Sequence, residues 1–331
     1  MDQPTLSPAD VRALIAGALE RSDVSSANAA SVADALLAAE LWGQSGHGLR
    51  RVEAYAAQAR AGKVDGHATP VAEETRAAAL GVDAAHGFAY PALDLAVERL
   101  PAMARASGIA MAGIRRSHHC GVAGVPVERL AREGMVALMF ANAPAAIAPW
   151  GGRAALFGTD PIAFAAPVDG AEPIVVDVSL SKVARGKLMA ARQKGEAIPE
   201  GWALAPDGSP TTDPATGMAG TMVPMGDAKG ATLAVMVELL CAGLTGANFA
   251  SEATSFFDAE GPPPGTGQLL IAIDPTAFGP GATARFAALA GMIEGVEGAR
   301  LPGRRRHDLK RAMERDGIRV DAALIAAIGA I

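Results

Sequence analysis

Apolar side chains recur at helical spacing through the first sixth of the chain. Val11, Leu14, Ile15 and Leu19 follow Ser7-Pro8-Ala9-Asp10, which offers a cap residue, a proline at the first helical position and an acid in the first turn. A second helix carries Val32, Leu36, Leu37 and Leu41 and ends near Gly43; a third spans 49–61, with Arg51 and Tyr55 four apart on one face. Between them lies the loop Gln44-Ser45-Gly46-His47-Gly48. Beyond residue 64 the apolar runs shorten and predict strands at 78–83, 109–114, 136–141, 162–166, 174–178 and 269–273. Helices are expected at 91–107, 122–133, 182–194, 229–244, 308–315 and 321–328. Residues 199–226 hold little periodicity and read as a long ordered loop. Strands and helices do not alternate regularly, which favours an α+β fold with a mixed or largely antiparallel sheet over a doubly wound parallel one.

Composition narrows the class. Half of the 331 residues are apolar, enough for a large core and against disorder. Gly and Pro (38 and 22) exceed the usual share, so turns and loops must be many. A net charge of −6 offers no basic footprint for a nucleic-acid backbone, and 4% aromatics provide no stacking platform for single strands. The chain has no 18-residue apolar run and no basic start followed by an apolar stretch; the expectation is a cytoplasmic protein without a membrane partner. Cys120 and Cys241 match neither a disulfide framework nor a zinc spacing.

Several chemical classes are excluded by missing motifs. No GxGxxG opens a helix after a strand, and GxxxxGK[ST], HExxH, CxxC and GxSxG are absent. What remains is a set of loops. His47, between two glycines, suits general acid/base work, although a turn histidine bonded to backbone has the same local sequence. Arg51, four residues on, fits either a carboxylate clamp or a solvated helix charge. His118 and His119 follow a strand end, with no carboxylate at metal-ligand spacing, so no metal is expected. Turns at 148–152 and 157–162 expose amides and the Thr159 hydroxyl; they serve an anion or simply turn the chain. Asp177 and Ser179 end an apolar strand, Ala228 and Lys229 open a helix where an anion is welcome, and Gly303-Arg304-Arg305-Arg306 forms a basic cluster.

The order of these motifs resembles the type 2 malate/lactate dehydrogenase family, which includes sulfolactate, ureidoglycolate, diketogulonate and cyclic-ketimine enzymes. The matching stretches are His47-Gly48 with Arg51 and Tyr55, Ser117-His118-His119-Cys120-Gly121, 148–161, 177–187, Pro210-Thr211-Thr212-Asp213-Pro214 and 226–238, so nearly the whole chain is covered. The resemblance implies an α+β fold whose cofactor domain is built on a mainly antiparallel, non-Rossmann sheet, with helical N- and C-terminal segments forming a second domain. The corresponding division is 1–115 (helical, with substrate-side elements), 116–295 (NAD(P)-binding) and 296–331 (helices packing back on the first). It implies a homodimer whose partners complete the active site. The reaction is hydride transfer between NAD or NADP and a small 2-hydroxy or 2-oxo acid of the malate, lactate or sulfolactate type. Alternatives are reduction of a cyclic imino acid of the Δ1-piperideine-2-carboxylate type, and a non-catalytic NAD(P)-binding sensor. Carried over by position, His47, Asp177 and His119 are catalytic. Arg51, Ser45 and Tyr55 bind substrate, and Asn142, Thr159, Asp160, Asp177, Val178, Ser179, Ala228, Lys229, Gly303 and Arg304 contact the cofactor. Two departures stand out: Gly46 replaces the serine that relatives carry before the histidine, with Ser45 one place back, and Arg304 replaces a frequent glutamate, a pointer toward NADP.

Overall fold

Ser7 opens the first helix as its sequence requires. In the computed structural model, which describes residues 3–331, the Ser7 hydroxyl accepts the Asp10 N–H and the Asp10 carboxylate reaches back to the Ser7 N–H. Strand β1 (Thr5–Leu6) thus leads into α1 (Pro8–Glu20), which packs on α2 (Ser26–Leu41) through buried Val11, Ile15, Leu19, Val32 and Leu36. Two 3₁₀ turns, Ser45–His47 and Leu49–Arg51, replace the expected loop and delay the start of α3 (Val52–Arg60).

The chain then runs through β2 (Val71–Arg76), β3 (Ala79–Asp83), α4 (Ala89–Ser107), β4 (Ile109–Ser117), α5 (Gly124–Arg132), β5 (Val136–Ala141), β6 (Ile162–Ala166) and β7 (Ile174–Val178). After α6 (Arg185–Lys194) come β8 (Ala203–Leu204), β9 (Pro210–Thr211), α7 (Pro214–Ala219), β10 (Thr221–Met222) and α8 (Ala228–Glu238). The chain closes with β11 (Thr266–Ile273), α9 (Ala282–Glu294), α10 (Arg304–Asp316), β12 (Ile318–Arg319) and α11 (Ala322–Gly329).

Seven strands form one sheet in the order β2-β3-β4-β11-β5-β6-β7. Only β3 and β4 run parallel, joined by the α4 crossover; every other neighbour pair is antiparallel, as the irregular strand spacing suggests. The sheet is shared across the expected boundary at 115/116, which falls inside β4. At the other end of the fold, β12 pairs with β1, and Ile328 of α11 joins the same buried cluster as Val11 and Ile15.

Several elements differ from the expectation. Residues 199–226 are not a loop: β8, β9 and β10 pair as a small sheet beside α7, each strand being too short to leave a period. Asp213 caps α7 and Pro214 takes its first position, a signal present in the sequence. Strand β2 is largely exposed and polar, and α9 buries only Ala290, so neither carries the two-sided pattern that marks an element.

Candidate active site

The His47 turn is held from below by α2. Gly43, at φ +70°, ends that helix, and the Glu40 carboxylate accepts the Leu49 N–H at 2.7 Å. A Cβ on Gly48 would run into the Glu40 carboxylate, so close approach requires glycine there. Arg51 folds back and donates from Nε to the Gly46 carbonyl at 2.9 Å, which ties the guanidinium to the same turn. Its buried Nη1 has no protein partner.

The second histidine arrives from the sheet. Arg116, at φ +49° and paired with Asp83, bends the end of β4 so that Ser117, His118 and His119 turn inward. His119 Nε2 lies 3.3 Å from His47 Nδ1, and the two rings stack with centroids 5.2 Å apart. On its other side His119 Nδ1 is 2.6 Å from the Tyr55 hydroxyl, itself 3.0 Å from the Tyr90 hydroxyl. The chain runs either from Tyr90 through Tyr55 and His119 to His47 Nδ1 or the reverse, and in both cases it uses Nδ1 of His47. The free nitrogen of His47 is then Nε2. Tyr55 is fully buried, with its hydroxyl between that of Tyr90 and the His119 ring.

Burial and the Arg51 charge both oppose an imidazolium here. They push His47 down to about 4 and His119 well below its ordinary range. His118, pushed down to about 3 by burial and then by Arg51, has no partner for either nitrogen and sits among Tyr55, Phe88 and Phe256. Burial raises Tyr55 to about 12. The Phe256 ring lies 5.1 Å from that of His119, and the Arg51 guanidinium lies over Phe257 at 4.4 Å. Neither phenylalanine, nor Tyr90 or Glu40, stood out in the sequence; the first three sit far from the histidine motifs, and Glu40 is one of two acids in a mostly apolar helix.

Asp177 does not reach His47, contrary to one of its two expected roles. Its carboxylate accepts the Gly124 N–H at 3.1 Å and also bonds Gln44, while Arg306 stands 3.9 Å away. Burial raises its pKa despite Arg306. Ser45 is exposed on the His47 turn with no side-chain partner.

The other expected ligand residues gather at the end of β7. Leu180 N–H donates to the Thr159 carbonyl, Ser179 Oγ to the same carbonyl, and Met225 N–H to Leu180, which brings the start of α8 alongside. Gly303 is so close to Val175 that a Cβ would crowd its carbonyl, and Arg306 Nη2 donates to the Asp177 carbonyl; the start of α10 therefore joins the cluster. Val178, Ala228 and Lys229 lie partly or fully exposed around it. Asn142 and Asp160 do not. The Asn142 amide is spent on Glu238, the Asn248 carbonyl and the Gly267 N–H, and Asp160 is completely buried against Glu238 and the Ala143 N–H. These bonds hold the neighbouring loops. Arg304 pairs with Glu294 at 2.9 Å, whereas Arg305 is exposed and forms no ion pair among the described residues.

These features suit a nicotinamide nucleotide. The first turn of α8 has no side-chain cap on its N–H groups and carries Lys229; the first turn of α10 is triply cationic, with a buried Arg306 nitrogen lacking a hydrogen-bond partner. Glu128, Glu172 and His307 bring ligand atoms within 4.8 Å of one another, but Arg132 already bonds both carboxylates and supplies the positive charge.

The mixed sheet, the inward histidine pair and two uncapped helix starts at the end of β7 describe the site, and comparison with known proteins gives the class of enzyme and its family. Residues 6–329 match the malate/L-lactate dehydrogenase family model, and the chain belongs to that family. It is 52% identical over 306 residues, covering 92% of each chain, to the (2R)-3-sulfolactate dehydrogenase (NADP(+)) of Chromohalobacter salexigens. It is 43% identical over 302 residues, 88% of this chain and 84% of the other, to a Δ1-pyrroline-2-carboxylate/Δ1-piperideine-2-carboxylate reductase of Pseudomonas syringae pv. tomato. The crystal structure of Δ1-piperideine-2-carboxylate reductase from that organism superposes with a TM-score of 0.94 at 38% identity, covering 99% of both chains.

Proposed function

We propose that the protein is an NADP-preferring dehydrogenase that interconverts a small 2-hydroxy acid of the 3-sulfolactate type with its 2-oxo acid, as a cytoplasmic homodimer. One observation carries this reading: a guanidinium with an unpartnered Nη1 and an imidazole with a free Nε2 share a single turn. A 2-oxo carboxylate has the complementary pair, a carboxylate for Arg51 and an adjacent oxygen for His47. The identity to an NADP(+)-dependent sulfolactate dehydrogenase supports both the acid and the cofactor.

When bound, the nicotinamide ring gives or takes the hydride at the carbon between those two groups. In the reducing direction the imidazolium of His47 delivers its Nε2 proton to the substrate oxygen. In the oxidising direction neutral His47 takes the hydroxyl proton at Nε2, and in both directions Nδ1–H donates to His119 Nε2, with the chain running on from His119 through Tyr55 to Tyr90. A substrate carboxylate on Arg51 cancels the charge that opposes protonation of His47, so binding raises proton affinity where the proton is needed. The pyrophosphate would rest on the α8 start and Lys229, with Val178 and Ser179 along the ribose and nicotinamide side. Arg305 is the better-placed cation for a 2′-phosphate, since Arg304 is already paired. A partner copy would cover Leu233, Met236, Leu239, Leu244 and Phe249, an exposed apolar group around the end of α8. Two buried free thiols and no helix among the described residues fit to cross a membrane accord with the cytoplasm.

A second reading, reduction of a cyclic 2-imino acid, draws on the likeness to the piperideine-carboxylate reductase. The same Arg51 would take the carboxylate and His47 would protonate the imine nitrogen. Initial rates with NADPH and NADH against 3-sulfopyruvate, oxaloacetate, pyruvate and Δ1-piperideine-2-carboxylate test both. The primary reading expects the highest kcat/KM for 3-sulfopyruvate with NADPH. Turnover of the imine alone selects the second reading, and cofactor binding without any turnover contradicts both.

A further inference from the structure

Lys63 is buried with its side chain wholly enclosed, yet nothing in the hydride-transfer scheme uses it. Its position follows from the way α3 ends. Gly62, at φ +72°, lets its N–H bond the Ala59 carbonyl at 3.0 Å and the Lys63 N–H bond the Gln58 carbonyl at 2.9 Å, a Schellman turn that sends the lysine inward. The ammonium donates to the Ser255 carbonyl at 2.8 Å, the Asp258 carbonyl at 3.1 Å and the Asp258 carboxylate at 3.0 Å. Gln58 adds a bond from Nε2 to the same Asp258 carbonyl at 2.8 Å.

Residues 255–258 have no helix or strand of their own, and between the two anchored ends sit Phe256 and Phe257. We propose that Lys63 is a positioning residue of the active site: by tying this loop to α3 it sets Phe256 as a roof over His118 and His119 and Phe257 as a backing for Arg51. An apolar side chain could fill the same space without burying a charge. An ammonium with three acceptors is the choice that fixes two carbonyls and a carboxylate in one geometry. The four hydrogen bonds all end on the loop, and both rings it carries touch groups of the site.

The groups facing the histidine pair are Arg51, His118 and Tyr55, with Tyr90 and Cys120 near Tyr55 and Lys63 adding positive charge near His118. Removing the ammonium lifts the roof and deletes a cation. Both changes favour imidazolium.

Because the inference rests on His47 and His119 handling the proton, one readout is independent of turnover. Two variants serve: Lys63→Met, and Asp258→Ala, whose carboxylate is half exposed and whose loss spares the core. NMR titration of the histidine ring protons in the full-length protein is expected to move the site histidines up by about one pH unit in Lys63→Met and by less in Asp258→Ala. Activity in Lys63→Met is expected to fall roughly 10- to 100-fold in kcat/KM, with its acid limb displaced in the same direction. Phe256→Ala should reproduce the shift, and adding Lys63→Met to it should change little further. Folded variants that titrate as wild type, or full additivity of the Lys63 and Phe256 substitutions, overturn the inference. If Lys63→Met does not fold, the Asp258→Ala titration decides it. Shifted titrations in a protein that reduces no acid would leave the roof standing and reject the proposed substrate instead.

Discussion

His47 and His119 come from separate elements, one on a 3₁₀ turn after α2 and the other past the end of a sheet strand, and their ring nitrogens meet at 3.3 Å. Neither histidine has a carboxylate partner. The orientation of the pair is set instead by a tyrosine, which makes a hydroxyl the anchor of the proton-handling chain.

Tyr55→Phe therefore separates anchoring from chemistry. It removes the bond to His119 while keeping the buried ring, and the expected cost is about 1 kcal/mol of stability with a roughly tenfold loss in kcat. Urea unfolding and steady-state rates measure the two effects. A variant that keeps its full rate would show that His119 needs no anchor.

Gly48→Ala probes the turn that carries His47. The added methyl meets the Glu40 carboxylate, which must let go of the Leu49 N–H or move the turn. The account expects at least a tenfold drop in kcat/KM, of the order seen when a catalytic group shifts by about 1 Å, while NADPH binding is retained because the cofactor groove lies at the end of β7. Fluorescence titration with NADPH alongside rates checks this.

Acid stability tests His118. Its folded pKa lies below its unfolded value of 6.5, so the stability it contributes is complete above pH 6.5 and is lost as pH falls toward about 3. Between pH 7.5 and 5 the loss from this one group is about 2 kcal/mol. His118→Leu removes two unpartnered buried nitrogens, so it should match or exceed wild-type stability at pH 7.5 and lose less at pH 5. Identical pH slopes in the two proteins would contradict the assignment.

Cofactor choice should move with Arg305. Arg305→Glu is expected to raise KM for NADPH roughly tenfold with little change for NADH, whereas Arg304→Ala should do less because Glu294 already occupies that guanidinium. The ratio of the two KM values is the readout.

Much of this arrangement could be read from the chain. The Ser7 capping box, the irregular strand spacing and the motif order led to the helical start, the largely antiparallel sheet and the His47–Arg51–His119 grouping. What escaped had a physical reason. Strands β8 to β10 pair over two residues each, α9 keeps its apolar side on the surface, and the Phe256–Phe257 roof reaches the site through a tertiary anchor at Lys63. Tyr55, Asn142 and Asp160 were named by position, and their burial and internal bonds are features that motif order does not carry.

The central claim is that His47 passes the proton that accompanies hydride transfer to an acid held by Arg51. The most direct measurement is the rate of NADPH oxidation by 3-sulfopyruvate for the wild type and His47→Ala. The account predicts turnover by the wild type and a loss of roughly 10²- to 10⁴-fold in the variant. Equal rates for the two proteins would contradict it.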